Sequence, residues 1–132
     1  MATRERPVSP HMQVYRWQVQ MVTSMLHRAT GIVLAIGALL FPWGLSALAG
    51  GPQDWARFTA FLGSPLGWLV LGAGVWALSY HLINGVRHLL QDAGLGFSIP
   101  EFVRNSWISV IGSVLLTAVV LGYAASRLGG AA

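Results

Sequence analysis

The chain has 132 residues, of which 55% are hydrophobic and only 9% charged, with a formal net charge of +4. Soluble domains carry about a quarter charged residues, so the composition excludes an ordinary water-soluble fold and suits about three membrane spans with short connections. All eight basic residues are arginines in no dense run or stripe, which argues against nucleic acid as a partner despite a pI near 10.8. No cysteine is present, which removes disulfides, thiolate iron–sulfur ligation and covalent CxxCH haem attachment from this chain.

The N-terminal MATRERPVSP lacks the long apolar core of a secretory signal, so the spans themselves are expected to direct insertion. Uncharged apolar windows follow at 29–49, 66–86 and 107–126. Each is about 20 residues, enough at ~1.5 Å per residue to cross a ~30 Å hydrocarbon core. The expected fold is an all-α membrane protein with transmembrane helices at about 24–49, 65–92 and 105–127. A segment at 1–23 precedes them and a tail at 128–132 follows, the whole forming one domain over 1–132 with no internal repeat. Pro42 is placed to kink the first span. The connections, GGPQDWARFTAFLGSP at 50–65 and AGLGFSIPEFVRN at 93–105, read as loops lying at an interface. Trp55, Trp68, Phe102 and Trp107 are placed for aromatic belts.

Arginine placement predicts topology. With the N-terminus inside, Arg4, Arg6, Arg16, Arg28, Arg87 and Arg104 lie on the inner side, and only Arg57 and Arg127 lie outside. That positive-inside bias predicts a cytoplasmic N-terminus and a C-terminus on the far side.

Three polar clusters gather on the inner side: RPVSPH, SMLHRAT around Ser24–Thr30, and SYHLINGVRHLLQD ending at Asp92. Ser24, His27, Arg28, Arg87, His88 and Asp92 are expected at similar depth near the interface. His81 sits roughly 16 Å of helix before Asp92 and so lies deeper. An ionisable group there normally has a partner or a function. One reading is a neutral histidine hydrogen-bonded to a neighbouring helix; the other is metal or haem ligation by a neutral imidazole. His81 and His88 share a face to within about 20° but stand about 10.5 Å apart along the axis, too far for one ion bound at ~2 Å by each. A haem edge fits better, with iron at His81 and propionates reaching toward His27, Arg28, Arg87 or His88. Gly85 would clear the face for a flat macrocycle. Ser24 and Arg28, four apart, share a face. They read either as a helix cap with a snorkelling arginine or as a donor and a cation for a quinone carbonyl, whose reduction builds negative charge on oxygen.

These motifs resemble the cytochrome b subunits of succinate:quinone oxidoreductase (succinate dehydrogenase, complex II). That family carries an RP near the N-terminus, then SxxHRxT, then HxxxGxRHxxxD; here they read RPVSPHM, SMLHRAT and HLINGVRHLLQD, in order and across essentially the whole chain. Gln91 departs from the aromatic or Met usual before the aspartate. The resemblance implies a three-helix anchor that packs with a second three-helix anchor subunit, and it makes His81 the axial ligand of a haem b (iron ligand His81) shared with that subunit. It places His27 and Arg28 near the haem propionates, with His88 as a further propionate contact, and Ser24 and Arg28 at the ubiquinone site. The roles of His88 and Asp92 are otherwise open. FAD and iron–sulfur clusters belong to the flavoprotein and iron–sulfur subunits, which with lipid complete the expected partners. A Tyr and a Trp at the quinone come from other subunits in this family. The expected location is a bacterial inner membrane.

Overall fold

The computed structural model describes residues 16–129. The RPVSPH stretch, Arg4 and tail positions 130–132 lie outside the described residues. The chain forms α1 (Val19–Gly37), α2 (Leu40–Ala49), α3 (Pro52–Gly63), α4 (Pro65–Asp92) and α5 (Ile99–Gly129), with no strand among the described residues. Three continuous helical stretches, Val19–Ala49, Pro65–Asp92 and Ile99–Arg127, are long and apolar enough to cross a membrane. The expected all-α, three-span architecture is therefore the observed one.

Local chemistry explains the boundaries. The first span breaks at Ala38–Leu39 because Pro42 has no N–H to give the Ala38 carbonyl. Phe41 N–H takes that carbonyl instead at 3.2 Å, while Leu39 N–H turns to Ile36 O at 3.0 Å. α4 stops at Asp92 through a Schellman motif: Leu95 N–H donates to Leu90 O at 3.0 Å and Gly94 N–H to Gln91 O at 2.8 Å. That turn needs the left-handed conformation Gly94 adopts, φ +84°.

Two elements differ from the sequence reading. The stretch 50–65 is mostly a helix, α3, started by Pro52 in its first turn and Asp54 near its positive end. α5 begins at Ile99 rather than near 105: SIPE has the Ser-x-x-Glu sequence of a helix start, the Ser98 hydroxyl donates to the Glu101 carboxylate at 2.5 Å, and Pro100 occupies a turn whose N–H needs no helical partner. Interfacial aromatics remain, now on a helix. Phe58 of α3 is buried, with Trp43 of α2 edge-on at 5.0 Å.

α1, α4 and α5 pack as a bundle, with α2 and α3 at the end away from the histidines. Polarity is reversed relative to a soluble protein. Ile32, Ile36, Leu69, Leu115 and Val119 face outward, while Thr23, Thr30, Asn84, Arg87, Ser106, Ser109 and Ser113 are buried. With lipid outside, apolar burial between helices gains little, and small or hydrogen-bonding residues allow close packing. The α5 serines return their hydroxyls to their own helix: Ser106 to Phe102 O at 2.8 Å, Ser109 to Asn105 O at 3.1 Å and Ser113 to Val110 O at 2.8 Å.

The α3–α4 corner is the tightest backbone approach in the fold. Ser64 caps α4, accepting from Gly67 N–H at 3.0 Å, and a Cβ on Gly67 would stand 2.1 Å from Phe61 O and 2.6 Å from Leu62 O. Backbone cannot yield as a flexible side chain can. Gly67→Ala is expected to destabilise the fold by on the order of 3 kcal/mol, lowering the thermal midpoint of the purified protein. Gly122→Ala, where a Cβ meets nothing within 4 Å, serves as the neutral control.

Candidate functional site

α1 and α4 meet along a seam whose one half is polar. Thr23 and Thr30, seven apart, turn into the bundle, while His27 and Gly31 face α4. His81 on α4 enters this seam. Its ring stacks on His27 with centroids 3.9 Å apart and planes 10° from parallel. His88, two turns along α4, meets the same His27 ring edge-on at 5.0 Å. The three histidines proposed from sequence are thus brought together by two helices, with His27 at the centre.

His81 can reach α1 because Gly31 has no side chain. A Cβ there would stand 3.2 Å from His81 Cε1, tighter than ordinary contact. The approach lets His81 Nδ1 come to 3.2 Å from the His27 carbonyl and 3.3 Å from Thr30 Oγ1. A carbonyl only accepts, so Nδ1 must carry the proton. Thr30 sends its own hydroxyl hydrogen to Leu26 O at 2.8 Å or His27 O at 3.0 Å, leaving its oxygen free to accept. His81 is therefore anchored through Nδ1–H, and a neutral ring held this way would present its Nε2 lone pair, the state in which histidine ligates a metal. Gly85 also faces the seam, but more loosely: its missing Cβ would lie 3.8 Å from His27 Nε2. Gly31 and Thr30 are the positions sequence reasoning missed, although both adjoin His27 within or beside SMLHRAT.

Behind the histidines lies a buried cation. Arg87 is 6% exposed. Its Nη1 donates to Asn84 Oδ1 at 3.1 Å and to Thr23 Oγ1 at 3.3 Å, and the guanidinium lies 4.5 Å from the centroid of the Phe102 ring. The sole ion pair among the described residues joins Asp54 and Arg57 far away, so Arg87 has no carboxylate neighbour there. Tyr80 is fully buried and donates its hydroxyl to Thr23 O at 2.9 Å, holding α1 where Thr23 can serve Arg87. Sequence reasoning placed Arg87 at the inner surface; the helix turns it into the bundle instead.

Ser24 is half-buried, and Arg28 and Asp92 are exposed. None of the three has a side-chain partner among the described residues. Ser24 does not cap α1, which starts five residues earlier at Val19. The seam's other half, away from the polar groups, opens as an apolar cleft of about 590 Å³ lined by Val33, Leu34, Gly37, Gly74, Val75 and Leu78. Among the described residues no group of three or more His, Cys, Asp or Glu side chains is placed to hold a metal ion.

A three-span membrane helix bundle that holds one imidazole with a free ring nitrogen beside further histidines has the build of a membrane cofactor-binding subunit. Residues 2–121 match the family described as "Succinate dehydrogenase/Fumarate reductase transmembrane subunit". The chain is 40% identical over 116 residues to the succinate dehydrogenase cytochrome b556 subunit of Paracoccus denitrificans, covering 88% of this chain and 89% of that one. It is 36% identical over 113 residues to the b556 subunit of Rickettsia felis, covering 86% and 88%. With the mitochondrial cytochrome b560 subunit of Mus musculus the figure is 39% over 121 residues, covering 89% of this chain and 68% of that one. The chain belongs to the succinate dehydrogenase/fumarate reductase transmembrane subunit family. It is a membrane subunit of complex II that does not catalyse the dehydrogenation by itself.

The Phe102 ring offsets part of the desolvation of Arg87, since a cation over an aromatic face is worth up to about 2 kcal/mol when shielded from water. Phe102→Leu is expected to lower the thermal midpoint of the complex, corresponding to a loss of about 1–2 kcal/mol. Phe102→Tyr, which keeps the ring, should remain near wild type.

Proposed function

We propose that this chain binds a haem b together with the second anchor subunit and forms part of the site where ubiquinone is reduced with electrons from succinate. The observation that carries the reading is the His27 carbonyl–His81 hydrogen bond, which leaves Nε2 of a neutral imidazole free to ligate iron. The cytochrome b naming of the relatives supports the same cofactor.

The residues present fit the group. His81 supplies the iron ligand through Nε2. His27 Nε2 is buried without a partner among the described residues, so a carboxylate there would complete it. Arg28 and His88 bracket the same histidine cluster and would hold the propionates with it. The apolar cleft beyond Leu34 and Leu78 suits the hydrophobic part of a macrocycle and the helices of the second anchor. When bound, haem supplies a one-electron store beside the quinone site.

Ser24 and Arg28 serve the quinone. The Ser24 hydroxyl donates to a carbonyl oxygen, and the Arg28 guanidinium offsets the negative charge that builds there as electrons arrive. With no side-chain partner among the described residues, both are available for this role. Protons come from water or from residues of the partner subunits. The iron–sulfur subunit docks on this side and delivers electrons from the flavoprotein subunit, where FAD oxidises succinate. The arginine distribution supports this arrangement, in a bacterial inner membrane with a cytoplasmic N-terminus. Three alternating spans would put Arg57 in α3 and Arg127 at the end of α5 together on one side, opposite Arg16, Arg28, Arg87 and Arg104, and the positive-inside bias makes the arginine-poor side the outer one on this reading.

Replacing His81 with Ala is expected to abolish the b-type absorption attributable to this subunit in reduced-minus-oxidised spectra of the assembled complex. An unchanged spectrum would falsify the ligand assignment.

Ser24→Ala should lower succinate-to-quinone turnover by about 10- to 100-fold, the effect of removing one donor to a developing oxyanion being at or below ~10³-fold. Succinate oxidation with an artificial acceptor should persist. Equal turnover in both assays would remove Ser24 from the quinone site.

A further inference from the structure

The group around Arg87 does more than bury a cation, because its hydrogen bonds have only one consistent direction. A guanidinium can donate but never accept. The atom of Asn84 that lies 3.1 Å from Arg87 Nη1 must therefore be the amide oxygen. Asn84 is completely buried, so its amide cannot turn over into water. Its Nδ2, which only donates, then points at His88 Nε2 at 3.2 Å. His88 Nε2 must accept, so it carries no proton.

We propose that Arg87 and Asn84 form a positioning pair that fixes His88 as the neutral Nδ1–H tautomer, so that His88 meets an anionic group in the α1–α4 seam with one N–H donor and no charge. The inference about the donor's target rests on the haem reading above, in which that anion is a propionate carboxylate. The tautomer itself follows from the protein's own groups.

The surroundings favour the neutral ring. The elements packed here present Thr23 and His27 from α1 and the Phe102 ring from α5. No carboxylate among the described residues comes within ion-pair distance of His88 or Arg87. A proton on Nε2 would face the Asn84 amide hydrogens, and reversing the amide would aim those hydrogens at the guanidinium. Each alternative sets donor against donor in a site shielded from water. Asn84 thus reports the fixed charge of Arg87 to His88 as a choice of ring nitrogen. Of the two nitrogens of His88, Nδ1 alone remains for a ligand.

The test uses the whole complex with ¹⁵N-labelled histidine, studied by solid-state NMR at neutral pH. Subtracting the spectrum of H88N from that of the unaltered complex isolates His88. The expected result is a protonated Nδ1 and an unprotonated, hydrogen-bonded Nε2. A proton on Nε2, or on both nitrogens, overturns the proposal. In N84D the carboxylate can accept from Arg87 and His88 together, so a proton is expected on Nε2; an unchanged His88 signal there also overturns it. Should N84D fail to assemble, N84L provides the second variant, with an expected mixture of tautomers and the same overturning result.

The haem midpoint potential tests the donor role. H88N keeps an amide N–H near the position of Nδ1 and should retain the potential, whereas H88L should lower it, because a carboxylate that has lost its N–H donor presents more of its negative charge to the iron. Identical potentials in the two variants overturn the donor role. The two readings fail separately. A b-type spectrum that survives H81A removes the haem reading while the nitrogen signals still report the tautomer. An Nε2-protonated His88 in a complex whose b-type spectrum needs His81 removes the positioning pair alone.

Discussion

A guanidinium inside a membrane bundle must be satisfied before anything near it can be placed, and Arg87 imposes that condition here. Desolvating an arginine costs several kcal/mol, and no carboxylate among the described residues offsets it. Three neutral groups on three helices do so in part, Thr23 on α1, Asn84 on α4 and Phe102 on α5, while Arg87 Nε is buried without a hydrogen-bond partner among the described residues. The Thr23 and Phe102 contacts fix α1 and α5 against α4, while Asn84 orients the guanidinium from α4 itself. Tyr80 adds a second tie between α4 and α1 through Thr23 O. The register of α1 against α4 follows from these contacts, and that register brings His27 beside His81.

The consequence appears in how His81 is held. Its ring nitrogen reaches the His27 backbone carbonyl on α1, as well as the Thr30 hydroxyl, through an opening that Gly31 provides. A backbone carbonyl cannot rotate away or change protonation, so the tautomer of His81 is set by the helix itself. The same logic recurs seven residues later, where a buried amide oriented by Arg87 selects the nitrogen of His88. Both histidines are placed on rigid helices and supported from behind, the condition for precise ligand geometry.

Much of this was legible in the residues, for physical reasons. Apolar windows of about 20 residues mark spans because lipid tolerates no unsatisfied backbone, and Pro42 and the end of α4 were placed correctly by local chemistry. The histidine face was legible because seven residues return nearly to the same side of a helix. What escaped had mixed signals. α3 is amphipathic and flanked by Gly and Pro, so 50–65 read as a loop. SIPE carries a proline that suggested a break, yet at a helix start it belongs in the first turn. Thr23, Thr30, Gly31 and Asn84 carry no charge and sit beside more conspicuous residues. The importance of Thr30 and Thr23 comes from contacts across 51 and 64 positions of chain, which no local pattern encodes, and Gly31 matters through the distant His81 ring. Asn84 bonds to its near neighbours Arg87 and His88, and was hidden because an uncharged amide between them draws no attention.

The division of the seam into a polar half and an apolar half also follows from depth. Polar groups are tolerable within a turn or two of the interface, where water and partner subunits are near, and costly at the midplane. Ser24, His27, Arg28, His88 and Asp92 lie toward one end of the α1–α4 seam, and the cleft lined by Leu34, Val75 and Leu78 lies toward the other. His81 stands at the boundary. An amphiphilic cofactor with charged arms on one edge and hydrocarbon on the other matches that gradient in only one orientation, charged edge toward His27 and His88. The same gradient would seat a quinone with its ring beside Ser24 and its isoprenoid tail in lipid. On the proposed reading, the orientation of haem and quinone needs no dedicated lock, since the chain's own placement of polar side chains along one helix seam would select it.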